Sequence, residues 1–469
     1  MKDLLSLLST RYGEQILRFA QDDNLKLSAL ASNKSSRRSR ANREEHQPRP
    51  AARPVAWYTR VAWFPVGVTL IVMLTALFAV EPVRDAVTGG SVGEARLGIS
   101  AGYTALAPLS AVLDTITLLT VAQHIALLLW IILVYVGWRV RPRRPTTPLR
   151  EAGYAALFLG CILVTYAAAA LLPRPMAALA TSDDTVLSID FHAHSKYSHD
   201  GRPGWTEDDV RNWHRASGYD AAYVTDHATF EGAERGIAAN PGQAGEGTML
   251  LQGLEAFFRG EHVNILGAGR RYKGLTTPDL KDVDEQSLAI AGIIPATTPV
   301  IIETIPGNLA KIPVQTTQGT PGVIAIEIVD GSPRGLSQTR RERARIVRIA
   351  DSLNLALVVG SDNHGWGRAA PGWTLMRIPG WRGMTTDSLS RRIEEVLRVG
   401  RRESTRNIER RIAGGSAPIA LAFAMPAIVL RMLTTLSPDE RVMWIVWVWA
   451  IALAPRVWRL MRSRRATGA

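Results

Sequence analysis

The chain has 469 residues, a formal net charge of +13 and 46% apolar residues. A basic chain can bind nucleic acid, but here much of the arginine flanks apolar runs, as it does in membrane proteins, so we expect no nucleic-acid partner. The one cysteine, Cys161, excludes a disulfide within the chain and leaves the redox compartment open.

The first 60 residues are predicted to lack a packed core. Residues 1–33 have the pattern of a weak amphipathic segment, and residues 34–60 contain eight lysines or arginines and two glutamates. Such a polar and highly charged composition favours disorder. His46 lies in this basic arm, where we expect no functional site.

Long apolar runs follow on both sides of a central region of mixed composition. About 20 apolar residues are needed for a helix to cross a membrane. We predict three or four spans within 61–180, at 61–80, 98–138 and 152–172, and two within 414–455, at 417–436 and 442–454. The second half of 98–138 predicts a span, and its first half is either a short span or a helix lying at the membrane interface. A basic tail, 456–469, ends the chain.

This pattern predicts a multipass integral membrane protein of a bacterial-type cell membrane, with the lipid bilayer as a partner. The positive-inside rule places the basic arm and the basic tail in the cytoplasm, which requires an even number of spans. Six spans would leave the five arginines of 139–150 outside, and five would put the tail on the wrong side. The sequence does not determine which side the central domain faces.

The central domain, 182–405, alternates strand-like and helix-like segments, which is typical of a parallel α/β sheet or barrel. Its strand-like runs are 186–194, 220–227, 249–257, 262–269, 299–306, 322–331 and 355–364. Thr206 is predicted to begin a helix with a capping box, and Gly218 to end it. A second helix is predicted over 340–353.

Residues with metal-binding chemistry follow the predicted strands. His192 and His194 form an H-x-H pair on one face of a strand, since side chains two residues apart point the same way. Imidazole nitrogen and carboxylate oxygen together suit zinc, manganese and iron. The other candidates of this kind are Asp200, Asp226, His227, Glu255, His262, Asp362 and His364.

Three further histidines receive other interpretations. His199 neighbours Asp200 and is expected only to line the mouth of the site. His214 lies in a polar helix and is interpreted as a solvated surface residue. His124 lies near a predicted span and is interpreted as a polar residue that packs helices together.

The motifs D-F-H-A-H-S, S-H-D-G, G-Y-D-A-A-Y-V-T-D-H, G-L-E and G-S-D-N-H occur in this order over roughly 185–370. In order and spacing they resemble the PHP family, the polymerase and histidinol phosphatase superfamily. The resemblance implies a distorted (β/α)7 TIM-like barrel, here flanked by transmembrane helices, with two or three divalent ions at one end. It implies that His192, His194, Glu255 and Asp362 hold one ion, that Glu255 and His262 hold a second, and that Asp200, His227 and His364 hold a third.

One departure from the family pattern concerns the second ion. The family's Ala-His-Pro stretch is replaced here by IIETIPGN, in which Glu303 or Asn308 could substitute for the histidine. The family's next histidine aligns with either His262 or Asn264, and we prefer His262 because it is the better ligand. Glu327 is expected to support a metal ligand rather than to bind an ion.

The chemistry implied is metal-dependent hydrolysis, most simply of a phosphoester, on a small-molecule or lipid-linked substrate. Glu255, His227 and His364 are the catalytic candidates, the two histidines as proton carriers, and Lys196 and Arg202 could contact a phosphate. Two alternatives stay open. One is a hydrolase of esters, carbamates or amides with the same metals, and the other is a degraded centre that serves as a metal-binding sensor or scaffold. The oligomeric state is not determined.

Overall fold

The computed structural model describes residues 63–140, 147–227, 229–258, 261–267, 300–310, 323–411 and 418–466. The predicted basic arm with His46 and the last residues of the basic tail lie outside the described residues. The helices are α1 Trp63–Ala76, α2 Ala101–Ala105, α3 Ala107–Thr117, α4 Val121–Arg139, α5 Pro148–Leu171, α6 Glu207–Ser217, α7 Glu231–Ala238, α8 Pro333–Leu336, α9 Arg340–Leu353, α10 Thr386–Gly400, α11 Pro418–Ala422, α12 Ala424–Thr434 and α13 Pro438–Ala466. The strands are β1 Val83–Asp85, β2 Ala95–Gly98, β3 Ala178–Thr181, β4 Val186–Ala193, β5 Ala221–Val224, β6 Met249–Phe258, β7 Glu261–Leu266, β8 Ile301–Glu303, β9 Val323–Asp330, β10 Ala356–Gly360, β11 Gly372–Arg377 and β12 Arg406–Arg410.

The main sheet has ten strands in the order β1-β12-β11-β4-β5-β6-β7-β8-β9-β10. The pairs β4–β5, β5–β6, β8–β9 and β9–β10 are parallel, and the other five neighbouring pairs are antiparallel. The sheet curls, because the turn after β10 returns to β4: the amide of Asp362 donates to the His192 carbonyl at 2.9 Å. The predicted α/β class is confirmed, and the curled mixed sheet is consistent with the distorted TIM-like barrel that was expected.

The sheet extends beyond the range 182–405 expected for the central domain. Strands β1 and β12 lie outside that range, and β12 joins β1 to β11. The sequence of β12, RNIER, has no apolar alternation that predicts a strand. Its Glu409 is buried, and it is paired with Arg84 of β1 and Arg343 of α9, so tertiary ion pairs stabilise a strand that the local pattern does not predict.

The predicted helix ends are confirmed. Thr206 and Asp209 form a reciprocal capping box at the start of α6, and Gly218 ends that helix in the left-handed region with φ 84°. Helix α9 begins with the same device at Thr339 and Glu342. Both ends follow from local backbone chemistry, because a side-chain oxygen satisfies a free amide at the first turn and glycine alone adopts positive φ without strain.

Strands β4, β5, β9 and β10 are buried along their whole length. Phe191 of β4 stacks on Tyr223 of β5, with ring centroids 5.5 Å apart. Burial on both faces explains why these strands read as nearly continuous apolar runs. Any polar side chain at their ends is held in a rigid, water-poor frame.

The apolar helices are fewer and shorter than the predicted five or six spans. Of the described helices, α4 and α5 are long and apolar enough to cross a membrane, by length and composition alone, with 11% and 6% of their most apolar stretches buried. The predicted span 61–80 contains α1, whose 14 described residues reach about 21 Å, below the ~30 Å of a bilayer core. The segment 98–138 divides into α2, α3 and α4, and the segment 417–436 into α11 and α12. A multipass topology is therefore not supported.

The interruptions have local causes. Pro108 stands in the first turn of α3, and Thr120 caps α4 with Gln123, so each begins a new helix inside an apolar run. Nδ1 of His124 on α4 lies 3.0 Å from the hydroxyl oxygen of Tyr166 on α5, and the two atoms form a hydrogen bond. This contact between two helices fits the role in helix packing predicted for His124.

A buried carboxylate joins these helices to the sheet. Asp114 of α3 contacts Arg174 at 2.8 Å, Arg410 of β12 at 3.2 Å and the hydroxyl of Tyr103 at 3.0 Å. The side chains of Asp114 and Arg174 are 3% and 1% exposed. One buried carboxylate thus compensates the positive charge of two guanidinium groups, where water contributes little.

We expect Asp114→Ala to lower the free energy of unfolding by about 3–5 kcal/mol, because it leaves buried arginine charge uncompensated. Thermal or denaturant unfolding of the full chain in detergent would measure this. The control is Asp208→Ala, which removes an exposed ion pair with Arg211 and should cost at most about 1 kcal/mol. Equal effects of the two substitutions would contradict the role of Asp114.

Candidate metal centre

Four side chains converge at the ends of β4 and β10 and within β6. The Nε2 atoms of His192 and His194 are 3.0 Å apart. Glu255 of β6 places Oε2 3.1 Å and 3.2 Å from these two nitrogens. Asp362, in the turn after β10, places Oδ1 3.3 Å and 3.2 Å from them. The sheet therefore brings together the four residues expected to share one ion.

These spacings fit a bound cation. A tetrahedral zinc ion with bonds of about 2.0–2.1 Å holds its ligand atoms about 3.3 Å apart. The backbone of Asp362 supports the same interpretation, since its φ of 47° is uncommon for a residue other than glycine and such conformations cluster at functional sites. Nitrogen and carboxylate oxygen are ligands for zinc, manganese and iron alike.

Glu255 also reaches a second group of ligands. Its Oε1 lies 2.6 Å from Nδ1 of His262 on β7, and its Oε2 lies 3.4 Å from Nε2 of His227. Asn264, the alternative to His262, points elsewhere: it is buried and donates to the Phe191 carbonyl and to Glu327. The geometry therefore favours His262 over Asn264 as the partner of Glu255.

A third group lies at the mouth of the site. Asp200 places Oδ2 3.3 Å from Nε2 of His227 and 3.1 Å from Nε2 of His364. Nδ1 of His364 lies 2.9 Å from the carbonyl oxygen of Asp362, which can only accept, so this nitrogen carries a proton. Nε2 of the same ring is the atom that faces the Asp200 carboxylate. A cation between the two atoms would satisfy both of them.

The first group is supported from behind by further carboxylates. Glu327 of β9 accepts from Nδ1 of His192 at 2.9 Å, as expected for a residue that orients a metal ligand, and Asp330 lies 3.6 Å from the same nitrogen. Gly360 permits this approach, since a Cβ there would lie 2.5 Å from Oε1 of Glu327. The sequence did not single out Asp330 or Gly360.

His214 corrects a prediction. It is fully buried rather than solvated, and its Nε2 lies 2.7 Å from Oδ2 of Asp190 while its Nδ1 lies 2.7 Å from the Val210 carbonyl. The other oxygen of Asp190 accepts from the amides of His192, at 3.2 Å, and Ser361, at 2.8 Å. Because the neighbours of His214 along α6 are polar, the sequence pattern does not indicate this buried contact. Asp190 and His214 together hold the two strand ends that carry metal-ligand candidates.

The mutual proximity of these groups shifts their pKa values. Burial raises the pKa of Glu255, but His192, His194 and His262 outweigh burial and hold it well below its usual range. Burial lowers the pKa of His194, but hydrogen bonds to Asp362 and Glu255 raise it to about 10. Burial lowers the pKa of His227 to about 4, so that its ring is neutral at pH 7. Interactions with oppositely charged groups therefore outweigh burial at Glu255 and His194, whereas burial outweighs them at His227.

The groups open into a cavity of about 370 Å³. Among the described residues, the only lysine or arginine in its lining is Arg334, in α8, which was not predicted. Lys196 and Arg202, expected near a phosphate, do not line it, and their charged ends lie about 5.0 Å and 4.9 Å from the rings of Tyr197 and Trp205.

The substitutes considered for the absent Ala-His-Pro histidine do not reach the cavity either. Among the described residues its lining contains neither Glu303 nor Asn308, whose Oδ1 accepts from the amide of Ala310. Glu261 of β7 does line the cavity, and it accepts from the amide of Gly307 at 3.1 Å. His199 lies at the mouth, with its ring centroid 4.8 Å from that of His227.

No family model and no curated protein matches the chain. Solved structures that are similar to it include PsfC from Pseudomonas syringae, at 16% identity and a TM-score of 0.33 over 52% of this chain and 98% of that one. A two-domain protein from Bacteroides vulgatus, containing a predicted PHP-like metal-dependent phosphoesterase, is 17% identical with a TM-score of 0.29 over 45% of this chain and 64% of that one. An amidohydrolase from Chromobacterium violaceum is 18% identical with a TM-score of 0.27 over 45% of this chain and 96% of that one. At such identities, what these proteins act on does not carry over to this chain.

We expect His214→Ala to destabilise the metal-free protein by at least about 1–3 kcal/mol, because the buried carboxylate of Asp190 loses a hydrogen-bond donor. Unfolding in the presence of a chelator would separate this effect from metal loss. His199→Ala, which removes an exposed histidine from the same region, is the matched control and should change stability by less than about 0.5 kcal/mol. A His214→Ala variant as stable as the control would restore the interpretation of His214 as a surface residue.

Proposed function

We propose that the chain is a metal-dependent hydrolase of the PHP type, and specifically a phosphoesterase. The observation that supports this is the convergence of His192, His194, Glu255 and Asp362 with spacings of 3.0–3.3 Å, all of them except the buried His194 lining one cavity. Two adjoining groups of ligands extend the site, and the proposed arrangement of ions follows them. His192, His194, Glu255 and Asp362 hold one, Glu255 and His262 a second, and Asp200, His227 and His364 a third.

The ions and the side chains of the site would have different chemical roles. Bound divalent ions supply Lewis acidity, which lowers the pKa of water and offsets the charge of a phosphoester. Glu255 connects the first two ligand groups and fixes their separation. His227 and His364 are each 17% exposed beside the half-exposed Asp200, so when the third position holds no ion they are placed to carry a proton between the cavity and solvent.

Arg334 favours a phosphoester over a neutral ester, carbamate or amide. One of its terminal nitrogens donates to the Pro306 carbonyl at 3.1 Å and to Glu342 at 3.0 Å, which fixes the side chain at the cavity. A guanidinium has five N–H donors in a planar fork, so others remain for a substrate. Charge-assisted bonds of this kind are strong and match a phosphate well.

We further propose that α4 and α5 anchor the chain to a membrane. Their apolar side chains are largely exposed, as at Leu133, 64%, and Leu163, 71%, which a water-soluble protein would avoid. The end of α5 contacts the turn that carries His364, since the Ala170 carbonyl accepts from the amide of Gly367 at 2.9 Å. A lipid-linked phosphoester could therefore reach the cavity from the helix end, and a soluble one from solvent.

Metal content of the purified full chain tests the site. We expect two or three divalent ions per chain by elemental analysis, together with cleavage of p-nitrophenyl phosphate that a chelator abolishes. The variant His192→Ala/His194→Ala should lose at least one ion and at least about 100-fold in activity, since even residues that only orient ligands contribute about 10–100-fold.

His199→Ala is the control and should retain both metal and activity. A well-folded wild-type chain without metal would contradict the hydrolase and favour a sensor or scaffold. Bound metal with cleavage of esters or carbamates alone would contradict the phosphoesterase.

Arg334→Gln tests how the substrate is recognised. We expect KM for a phosphomonoester to rise by about tenfold or more, because the bond from a charged donor is lost, while kcat/KM for a neutral ester such as p-nitrophenyl acetate stays unchanged. Lys196→Gln removes a nearby exposed charge outside the cavity and should leave both values unchanged. An unchanged KM in the Arg334→Gln variant, or an equal rise for the neutral ester, would contradict this role.

A further inference from the structure

A second cavity, of about 420 Å³, lies where the helices meet the edge of the sheet. It shares no lining residue with the metal-centre cavity. Residues of α3, α12 and α13 form its walls, together with the end of β12 and the segment before β1. Its volume is within the range of about 300–1,000 Å³ found for small-molecule sites.

Three arginines and three carboxylates line this cavity. Arg410, Arg411 and Arg431 line it, against Glu81, Asp114 and Glu440. Two of these carboxylates have other partners. Asp114 is shared by Arg174 and Arg410, and Glu440 accepts from the amide of Ser437 at 2.8 Å as the cap of α13. Glu81 remains as the counter-charge to Arg411 and Arg431.

The guanidinium of Arg411 is incompletely satisfied. Its Nε is buried and has no hydrogen-bond partner within the part of the chain that the structure describes. Neither Arg411 nor Arg431 has a carboxylate partner within 4.0 Å among those residues. Burial and the charges of Arg84 and Arg431 lower the pKa of Arg411, against the opposing effect of Glu81. An anion between Arg411 and Arg431 would relieve both the unpaired donor and the repulsion.

Apolar side chains line the same cavity. Ile428, Met432 and Leu436 belong to α12 and the segment after it, and Leu118 follows the end of α3. Also on α12, Leu430 is 50% exposed. The cavity thus combines arginines with apolar side chains beside a helix that exposes an apolar residue, which is the chemistry of an amphiphile with an anionic head.

We propose that this cavity binds a phosphate-headed lipid, with the phosphate on Arg411 and Arg431 and the first part of an acyl chain against Ile428, Met432 and Leu436. Guanidinium groups suit phosphate because their planar forks bind two of its oxygens at once. This site lies apart from the proposed hydrolase centre. Its test is a binding measurement, which can succeed or fail whatever the chain hydrolyses.

The experiment uses the full chain in a zwitterionic detergent and a short-chain fluorescent phosphatidic acid, followed by fluorescence anisotropy. We expect Arg411→Gln/Arg431→Gln to weaken binding by at least about tenfold, since two charge-assisted contacts are lost. The matched control is Arg215→Gln/Arg392→Gln, which removes the same charge from exposed helix faces and should bind as the wild type does. Arg411→Lys/Arg431→Lys keeps the charge without the fork and should bind with intermediate affinity.

Two further probes define the ligand class. Phosphatidylcholine with the same fluorophore should bind at least about tenfold more weakly, because its head carries no net charge. Inorganic phosphate should displace the probe only at far higher concentration, because it lacks the apolar part. Equal binding by the Arg411→Gln/Arg431→Gln and control variants would overturn the site, and phosphate that competes as well as the lipid would overturn the lipid assignment. Melting temperatures of all variants, compared with the wild type, exclude unfolding as the cause of lost binding.

Discussion

The site depends on the contact that joins the end of β10 to the end of β4. Asp190 accepts from the amides of His192 and Ser361, residues 169 apart along the chain, while the Asp362 amide donates to the His192 carbonyl. These bonds are buried, where an unmade hydrogen bond is costly and water does not compete. They bring the H-x-H pair and the S-D-N-H turn to one point, and every other ligand is placed relative to them.

Several carboxylates lie close together around this junction, and none of them would be stable as an isolated buried charge. Glu255, Glu327, Asp330 and Asp362 are nearly buried, and an isolated buried carboxylate would bind a proton instead of keeping its charge. The imidazoles of His192 and His194 compensate part of this charge, and a divalent cation would compensate more. The same principle operates at Asp114, where two arginines take the place of the histidines. In both places a polar cluster joins parts of the chain that are distant in sequence.

Much of the site follows from the order of short motifs. Parallel strands end at one edge of a sheet, so H-x-H, T-D-H and S-D-N-H at strand ends were expected to meet, and the structure brings them together. The helix caps at Thr206 and Gly218 were predictable for a simpler reason, because they depend on neighbouring residues alone. The features that the sequence pattern missed depend on distant partners. His214 resembles its polar neighbours along the chain and its partner Asp190 is 24 residues away, and strand β12, which was not predicted, is stabilised by the ion pairs of Glu409 with Arg84 and Arg343.

The sequence by itself determined the α/β class, the strand-end ligand candidates and the apolar character of the helices, since these depend on residue type and local periodicity. Only the tertiary structure decided how the sheet curls, that β1 and β12 complete it, and that Arg334 rather than Lys196 or Arg202 lines the cavity. It also divided the apolar runs into shorter helices, leaving α4 and α5 long enough to span a bilayer. The physical reason is common to these cases: such features are fixed by hydrogen bonds, ion pairs and packing between residues far apart in the chain, which local pattern does not encode.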